Sequence, residues 1–423
     1  MSNLQMKDSN GKIYKGWSIV IGGMFLNVLG YSCIVAAVGL FLTPITEDLG
    51  LAIGDFVLWT TIMSVTSMVY LLFSQKIYSE KTTRPLMIIS CLFGVAGYAG
   101  FATSHSLIQF YVFAICLGIC FAGITTTPCS LLITNWFGPK LRGKALGVLF
   151  GGTGVLYMLA IPCLNYLIYN LGWRSAYFFL AGAMLVICLP IILFLTTWSP
   201  EKAGIKRRGD FEEGETVDNH LEGMSFKDGL KKPSTWLMFL SGTFLVIGSS
   251  SILTHTPTLL IMNGFSATFA ANVMSILSGL CVFTTIFAGA ISDRFGIRIC
   301  ALITGIAFAS TYAALLGTHS LGIVMVITFM ACYAIGIPSV NVVSPSIANY
   351  MFGEKEVGAF IGYVNLFISI GGALGSTIVG KLLDATGSYT VPFTVCIILT
   401  LIMVLIRLVV TGPKYKFRSD KEV

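Results

Sequence analysis

Apolar runs of about 20 residues recur along almost the whole chain, and they limit its fold more than any other feature. A helix of that length crosses the roughly 30 Å hydrocarbon core of a bilayer. The runs lack the alternation of apolar and polar residues that the strands of a membrane barrel need. Since every backbone polar group inside a membrane must be hydrogen-bonded, such runs are expected to be helices. The sequence therefore predicts an all-α membrane protein.

Charge is scarce and lies between the apolar runs. Of the 423 residues 55% are hydrophobic and 11% are charged, whereas a soluble domain carries about 25% charged residues. The formal net charge is +7, and membrane topology accounts for it better than nucleic-acid binding does. We therefore expect the protein to be surrounded by a lipid bilayer and to bind no nucleic acid. The first run is longer than a signal-peptide core and has no small-residue cleavage site, so we expect it to be retained.

The runs divide into two sets of six. The first set is predicted at 17–42, 55–75, 86–103, 107–133, 144–169 and 176–197, and the second at 234–262, 268–291, 299–316, 320–349, 357–379 and 389–411. The polar stretch Ser199 to Pro233 holds eight of the 19 acidic residues and seven of the 26 basic ones. We therefore predict an N-terminal six-helix bundle (1–198), a cytoplasmic linker (199–233) and a C-terminal six-helix bundle (234–423).

The basic residues predict the orientation. If both termini are cytoplasmic, 24 of the 26 Lys and Arg residues lie on the cytoplasmic side, and only Arg174 and Lys381 lie outside. Cytoplasmic loops carry such an excess of Lys and Arg. The asymmetry favours a multi-pass protein of the cell membrane with both ends inside, and it supports an even number of spans.

An internal repeat relates the two halves. Residues 136–143 match residues 351–358 at an offset of 215, and the same offset aligns Gly147 with Gly362 and Gly172 with Gly387. Several anchors in one register predict two parallel six-helix halves that are pseudo-symmetric. The 11 cysteines lie in or beside apolar runs without metal-ligand spacing, so we expect packing residues and no metal.

The segment 289–298, Gly-Ala-Ile-Ser-Asp-Arg-Phe-Gly-Ile-Arg, resembles the Gly-x-x-x-Asp-Arg-x-Gly-x-Arg loop of the major facilitator superfamily. The resemblance implies a cytoplasmic gating loop that stabilises one access state. Its residues here are Gly289, Asp293, Arg294, Gly296 and Arg298. The corresponding loop of the first half departs from the pattern, because Ser74, Tyr78 and Lys81 occupy the Gly, Asp and Gly positions.

Two further stretches resemble one branch of that superfamily. Gly16-Trp17 followed by Gly39-Leu40-Phe41 is similar to the first helix of the monocarboxylate transporters. Asn135-Trp136-Phe137 and residues 142–147 are similar to the fourth loop of relatives of the bacterial oxalate/formate antiporter. The resemblance implies secondary transport, by symport or antiport, through rocking of the two bundles about a midplane site.

The predicted spans carry no Asp, Glu, Lys or Arg in their middle, and Lys144 and Arg407 fall near cytoplasmic ends. Charged residues at membrane depth commonly mark coupling or ligand recognition. The oxalate and monocarboxylate transporters use intramembrane cations in spans 8 and 11, so a dicarboxylate is disfavoured here. A monocarboxylate held by neutral donors, or a less charged solute, fits the sequence better.

The resemblance places the cavity mainly on spans 1, 4, 7 and 10, with help from spans 5, 8 and 11. Seven polar residues of these spans are our candidates for substrate binding: Asn27, Tyr31, Thr126, Tyr157, His255, Asn341 and Asn365. Asn27 and Tyr31 share a helix face, and Thr126 and Asn341 are equivalent in the repeat. His255, beside Pro257, would bind an anion or titrate, or else it is a neutral histidine bonded to a neighbouring helix. Helix packing and bonding to the helix's own backbone are the alternatives for the others.

These observations predict a secondary active transporter of a small organic anion, a monocarboxylate, coupled to a proton or to an exchanged anion. Export of a neutral or amphipathic compound on the same fold is the main alternative. A receptor or sensor without turnover is a third, but we see no appended signalling domain in the sequence. No catalytic constellation, nucleotide loop or cofactor motif is present, so we expect no enzyme activity, no cofactor and a monomeric carrier.

Overall fold

A computed structural model describes residues 14–200, 205, 207–208, 223–353 and 356–417. Over these ranges the chain is almost entirely helical, without extended strands. Eleven of the helices described are long and apolar enough to cross a membrane, and a twelfth, Ile323–Gly336, is shorter. This agrees with the prediction of twelve spans, because the short helix lies within the predicted tenth span.

The described residues form two compact units. The first comprises the part up to Leu49 and the part from Val65 to Thr216, and the second comprises Gly50–Ser64 and the part from Val217 onward. The two bundles predicted at 1–198 and 234–423 stay a prediction beside this division by contacts. The beginning of the second span packs with the second unit, while the rest of that span packs with the first.

The first half of the chain contains nine α-helices and two π-helical turns within the residues described. They are α1 (Lys15–Asn27), a π-helical turn (Val28–Ala36), α2 (Val38–Leu49), α3 (Ile53–Ile77), α4 (Thr83–Thr103), α5 (Leu107–Ile124), α6 (Thr126–Trp136), α7 (Pro139–Leu171), α8 (Trp173–Ala183), a second π-helical turn (Met184–Cys188) and α9 (Leu189–Leu195).

The second half follows the same plan. Its elements are α10 (Phe226–Leu230), α11 (Pro233–Met262), α12 (Ala267–Phe295), α13 (Ile297–Leu321), α14 (Ile323–Gly336), a π-helical turn (Ser339–Val343), α15 (Ser344–Phe352), α16 (Val357–Thr386), α17 (Thr390–Val410) and a short 3-10 helix (Pro413–Tyr415).

Helix ends reproduce the internal repeat. Helix α7 ends at Leu171 and α16 ends at Thr386, and these positions are 215 residues apart. The residues that follow, Gly172 and Gly387, have φ of +84° and +67°. Glycine adopts positive φ without the steric cost that a Cβ imposes, so both helices stop at the same place for the same reason.

Small residues allow helices of the second unit to touch through their backbones. A Cβ at Gly371 would overlap the carbonyl oxygen of Thr243, and a Cβ at Gly375 would overlap that of Ile247. Helices α11 and α16 therefore approach as closely as small-residue faces permit in membranes. This close contact fixes the side chains of α11, including His255, against α16.

Both ends of the predicted linker are docked where the structure describes them. Arg207 donates from its guanidinium to the carbonyl of Thr134 at 2.8 Å, and the amide of Gly138 donates to the carbonyl of Arg208 at 2.6 Å. Helix α10 packs on the second unit, where the Phe226 ring lies 5.0 Å from the Phe360 ring. The polar stretch thus begins on the first unit and ends on the second.

Candidate functional site

The fourth span is broken in its middle. Helix α5 ends at Ile124, Thr125 has φ −93° and ψ −129°, and α6 begins at Thr126. We call Gly123–Pro128 the first break. Pro128 lacks an N–H, which removes one helical hydrogen bond at this point. In secondary transporters, discontinuous helices of this type build solute sites, because helix termini and freed backbone groups face the solute there.

The first span is irregular at the same place. Its π-helical turn Val28–Ala36 contacts the first break, where a Cβ at Gly30 would lie within 3 Å of Ile124 and Thr125 side-chain atoms. The buried hydroxyl of Tyr98 donates to the carbonyl of Leu29 at 2.7 Å. That bond satisfies a backbone group of the turn, so the irregular backbone is held by tertiary contact.

The first unit brings Tyr31 and the first break together. The Tyr31 ring lies 5.5 Å from the Phe121 ring and is 39% exposed, and Thr126 is exposed at the first position of α6. Asn27 is buried and donates to the carbonyl of Gly23 in its own helix at 2.9 Å. Tyr157 is buried on α7. Tyr31 and Thr126 therefore present their donors, whereas Asn27 is engaged with backbone.

The tenth span is also interrupted. Helix α14 ends at Gly336, and the π-helical turn leads to α15 at Ser344. We call Ile337–Ser344 the second break. The hydroxyl of Ser344 donates to the carbonyl of Ser339 at 2.9 Å. Asn341, the predicted counterpart of Thr126, lies in this turn, and its side chain is outside the described part of the chain.

A buried cation contacts the second break. Arg407 on α17 is 1% exposed. It donates to the carbonyl and hydroxyl oxygens of Ser339 at 3.0 and 2.6 Å, and to the hydroxyl of Ser344 at 2.6 Å. From the sequence, Arg407 is expected near the cytoplasmic end of the last predicted span, without a role in binding. The available signal was a single basic residue inside the apolar run Thr390–Val410.

His255 is fully buried, with both ring nitrogens engaged inside the second unit. Its Nε2 lies 2.9 Å from the carbonyl of Ser376, and its Nδ1 lies 3.2 Å from the hydroxyl of Tyr389. A carbonyl only accepts, so Nε2 carries the proton and Nδ1 accepts from Tyr389. The side chain thereby joins α11 to α16 and to the residue that precedes α17.

Asn365 lies on α16 with an exposed side chain. Its carbonyl accepts a hydrogen bond from the hydroxyl of Ser369 at 2.9 Å, which is a bond within the helix. The amide group of Asn365 is therefore presented by a regular segment of helix, unlike Tyr31 and Thr126, which lie at irregular backbone.

The gating loop is very short. Gly296 is the single residue between α12 and α13, and its φ is +83°. Glycine adopts this conformation freely because it has no Cβ, so the glycine of the motif provides the turn. Arg294 and Arg298 are exposed. The side-chain positions of Gly289 and Asp293 lie outside the described part of the chain.

The first-half counterpart of that loop uses a neutral group. Tyr78, at the Asp position, donates to the carbonyl of Gly123 at 3.3 Å and lies 3.4 Å from the hydroxyl of Tyr70. Burial, with the contribution of Tyr70, raises the pKa of Tyr78, so the phenol stays protonated. Tyr78 thus supports the first break.

Both basic residues predicted on the outer side are paired with acids. Arg174 donates to Asp48 at 2.7 Å, and Lys381 pairs with Asp55. Asp48 also accepts from the indole of Trp173 at 3.1 Å. The hydrogen bonds from Arg174 and Trp173 lower the pKa of Asp48, so its carboxylate is charged at neutral pH.

The chemistry available at the two breaks is hydrogen bonding by neutral donors, with one cation behind the second break. Within the described residues, no group of three or more His, Cys, Asp or Glu side chains has the arrangement of a metal site. Neutral donors of this kind form hydrogen bonds with acceptor atoms such as carbonyl and carboxylate oxygens.

Comparisons with known proteins agree with this arrangement. The model of the Major Facilitator Superfamily matches residues 20–351 and 263–422. Monocarboxylate transporter 4 of Gallus gallus is 22% identical over 390 residues, covering 90% of this chain and 79% of the relative. The purine ribonucleoside efflux pump NepI of Escherichia coli O6:K15:H31 (strain 536 / UPEC) is 30% identical over 155 residues, covering 35% of this chain and 37% of the pump.

The fold is also that of solved transporters. A bacterial homologue of the human lysosomal transporter Spinster, solved in an inward-facing and unoccupied conformation, superposes with a TM-score of 0.71. The match covers 96% of this chain and 98% of the other at 15% identity, so it shows the fold alone. With twelve spans in two repeated six-helix bundles, and a family match that covers most of its length, the chain belongs to the major facilitator superfamily.

Proposed function

We propose that this carrier moves a small organic anion, a monocarboxylate, by alternating access. The observation that supports this most is the similarity to a monocarboxylate transporter over 90% of the chain. The neutral donors at the first break suit a carboxylate, which accepts several hydrogen bonds through two oxygens. We propose symport with a proton or exchange for another anion as the coupling, in the cell membrane with both termini cytoplasmic.

Tyr31 and Thr126 are the donors that we propose for the carboxylate in the first unit. Both are exposed beside irregular backbone, and Thr126 begins α6, whose first amides form the positive end of a helix. Asn365 and Asn341 are the proposed donors of the second unit. We propose that Asn27, Tyr157 and His255 act by holding the helices that carry these groups.

A thermal-shift series with purified protein tests the substrate class. Lactate, pyruvate and acetate are added at rising concentration, with glucose and choline as uncharged and cationic controls. A ligand that binds only the folded state stabilises it, by about 2.7 kcal/mol at a concentration 100 times its Kd. We expect a saturable rise of the unfolding temperature with a monocarboxylate, and no rise with any carboxylate would contradict the proposal.

Substitution separates the binding residues from structural ones. Tyr31→Phe keeps the ring against Phe121 and removes only the hydroxyl, and Tyr166→Phe removes the hydroxyl of an exposed tyrosine on α7 as the matched control. We expect Tyr31→Phe and Asn341→Ala to weaken carboxylate binding about ten- to a hundredfold, since each removes one hydrogen bond to a charged group. Unchanged affinity in both variants would reject the proposed site.

Export of a neutral or amphipathic compound is the second candidate. The similarity of part of the chain to a purine ribonucleoside efflux pump favours it, as do the uncharged donors at the first break. Growth of cells with and without the gene on toxic purine ribonucleosides and on toxic hydrophobic compounds discriminates the two. Resistance that depends on the gene would favour export, and equal growth would count against it.

A further inference from the structure

The two breaks share a hydrogen-bond pattern at equivalent positions of the repeat. Directly after the first break, the thiol of Cys129 lies 3.3 Å from the carbonyl oxygen of Ile124, to which it donates. In the second break the hydroxyl of Ser344 donates to the carbonyl of Ser339. Each donor is five residues beyond its acceptor, and each member of one pair is 215 residues from its counterpart. Both halves of the repeat therefore have a side-chain bond across the interruption.

The donors at the two breaks differ in strength. A thiol is a weak donor, whereas a hydroxyl is an ordinary one. The Ser339 carbonyl also accepts from Arg407, whose guanidinium bonds the hydroxyls of Ser339 and Ser344 as well. Hydrogen bonds from an ionised donor are about twice as strong as neutral ones, and a low-dielectric surrounding strengthens them further. The position equivalent to Arg407 in the first half is Ile192, whose side chain carries no donor.

The surroundings of Arg407 are unfavourable for a cation. It is buried inside the protein, near the end of the apolar helix α17, and its Nε has no hydrogen-bond partner among the described residues. No acidic side chain pairs with it in the ranges that the structure describes. A buried cation without a counter-ion is unfavourable unless its other contacts are good. Those contacts are three oxygens of the second break.

The second break has space in which to move. A cavity of about 110 Å³ adjoins it and is lined by apolar surface that includes Phe287, Ala288, Cys300, Thr304 and Pro338. Pro338 directly precedes Ser339, and the hydroxyl of Thr304 lies 3.4 Å from that of Ser339. This cavity opens to the outside of the helices, since Phe287 is 64% exposed, so few side chains cover this face of the turn and the hydrogen bonds from Arg407 restrain it.

We propose that Arg407 is a positioning residue that fixes the second break, and that the first break, held only by neutral donors such as the Cys129 thiol and the Tyr78 hydroxyl, is the one that bends during the transport cycle. The two halves then differ in the stiffness of their breaks, although their sequences are related by the repeat. Arg407 touches no cargo in this account, because it acts through Ser339 and Ser344. The proposal concerns the mechanics of the fold and does not depend on which solute is carried.

Amide hydrogen exchange of the full-length protein in lipid nanodiscs tests the proposal without any cargo. Peptides covering residues 337–346 and 123–132 report on the second and first breaks. We expect protection factors in the second break to exceed those in the first by about tenfold, the factor that one charge-assisted hydrogen bond supplies. Equal protection, or faster exchange in the second break, would overturn the proposal.

Variants of Arg407 test whether this residue causes the difference in amide protection between the two breaks. Arg407→Met should raise exchange in residues 337–346 about tenfold and leave residues 123–132 unchanged, because only the second break loses its donors. Arg407→Lys should give an intermediate increase, since one ammonium cannot bond three oxygens in the planar geometry of a guanidinium. Ile192→Met, a buried change at the equivalent position of the first half, is the control.

Exchanging the two side-chain donors provides a test that does not remove the buried charge. Cys129→Ser should slow exchange in residues 123–132, and Ser344→Cys should speed it in residues 337–346, each by about two- to fivefold. Should Arg407→Met fail to fold, these two variants and Arg407→Lys decide the matter. If amide exchange stayed unchanged in all three variants, the proposal would be contradicted.

Transport gives a further readout when the rate is expressed per amount of folded carrier, because a loss of folded protein alone also lowers the maximal rate at unchanged KM. In lactate counterflow, Arg407→Lys should lower the maximal rate with KM unchanged, because the residue positions a helix and does not contact the cargo. A raised KM with an unchanged rate would place Arg407 in the binding site and refute its positioning role. If no carboxylate is carried at all, the proposed function fails while the exchange experiments remain decisive.

Discussion

Single residues join the helices of this carrier through paired donors and acceptors, and His255 is an example. The neutral tautomer with its proton on Nε2 satisfies the Ser376 carbonyl, and Nδ1 accepts from Tyr389. Protonating the ring would place a second donor opposite Tyr389 and would require its hydroxyl to turn. The buried site therefore favours the neutral form, as a residue that connects α11 and α16 requires.

We predict that His255→Ala destabilises the fold by about 1–3 kcal/mol, because the Ser376 carbonyl loses its donor inside the protein. Tyr389→Phe should cost only about 0.5–1.5 kcal/mol, since the Ser376 bond remains. Thermal unfolding of both variants in the same detergent compares them. A smaller loss for His255→Ala than for Tyr389→Phe would contradict this assignment.

The Asp48 carboxylate predicts a pH dependence. Its pKa is lowered below the ordinary 3.8 by the hydrogen bonds from Arg174 and Trp173. A carboxyl group whose pKa is lower in the folded state than in the unfolded state stabilises the fold. This contribution to the free energy of unfolding is fully present above the unfolded pKa and is lost as pH falls through the folded pKa. The difference in unfolding temperature between the protein and Asp48→Asn should therefore stay constant from about pH 8 to pH 5 and shrink below about pH 4. A difference that changes between pH 8 and pH 5 would show that another group controls it.

For single residues, the sequence indicates which side chains are candidates for the site better than it predicts what those side chains contact. Thr126 and Tyr31 are recognisable because polar groups in apolar runs are conspicuous, and Pro128 lies two residues after Thr126. Arg407 is also conspicuous as the single basic residue of the apolar run Thr390–Val410, but its place near the end of that run suggests a solvated head group. Its burial depends on Ser339 and Ser344, which are more than 60 residues away in sequence. Contacts of that kind are not visible in a local pattern.

The helices themselves show which features have local signals. Gly172 and Gly387 end α7 and α16, and the 215-residue repeat in the sequence predicts that these two ends are equivalent. The π-helical turn Val28–Ala36 has no comparable signal, because it contains no proline. It depends on Tyr98, a residue of another helix that bonds the Leu29 carbonyl. Such turns need a tertiary partner, so sequence alone predicts a continuous helix there.

The contact between α3 and α16 gives a prediction for a whole element. Asp384 accepts from the amide of Gly54 at 2.7 Å, and a Cβ at Gly380 would lie 2.8 Å from the Cα of Gly54. Gly380→Ala therefore pushes two backbones apart, and we expect a loss of about 1–3 kcal/mol. The unfolding temperature of the purified variant measures the loss.

Helix α16 also offers the matched control for that substitution. A Cβ at Gly362 meets no atom of the described residues within 4 Å, so Gly362→Ala gains helix propensity without a clash. We expect it to be neutral or to stabilise by up to about 1 kcal/mol. Equal destabilisation by both alanines would show that close approach to α3 is not the reason for glycine at position 380.

For the molecule as a whole, the distribution of charge predicts the orientation in the membrane. Only Arg174 and Lys381 are basic on the predicted outer side, and each is paired with a carboxylate, so the net positive charge there is small. Epitope tags placed on either terminus should resist protease in intact cells and become cleavable after permeabilisation. Cleavage of either tag in intact cells would contradict a cytoplasmic location for that end.

The central claim is that this member of the superfamily carries a monocarboxylate, and counterflow in proteoliposomes tests it most directly. Vesicles that contain the purified protein are loaded with unlabelled lactate, pyruvate or acetate, and uptake of trace label is followed, with protein-free vesicles as the control. We predict transient, saturable accumulation of label for at least one of the three, weakened in Tyr31→Phe and preserved in Tyr166→Phe. If label enters no faster than in protein-free vesicles for all three solutes, the monocarboxylate claim is wrong.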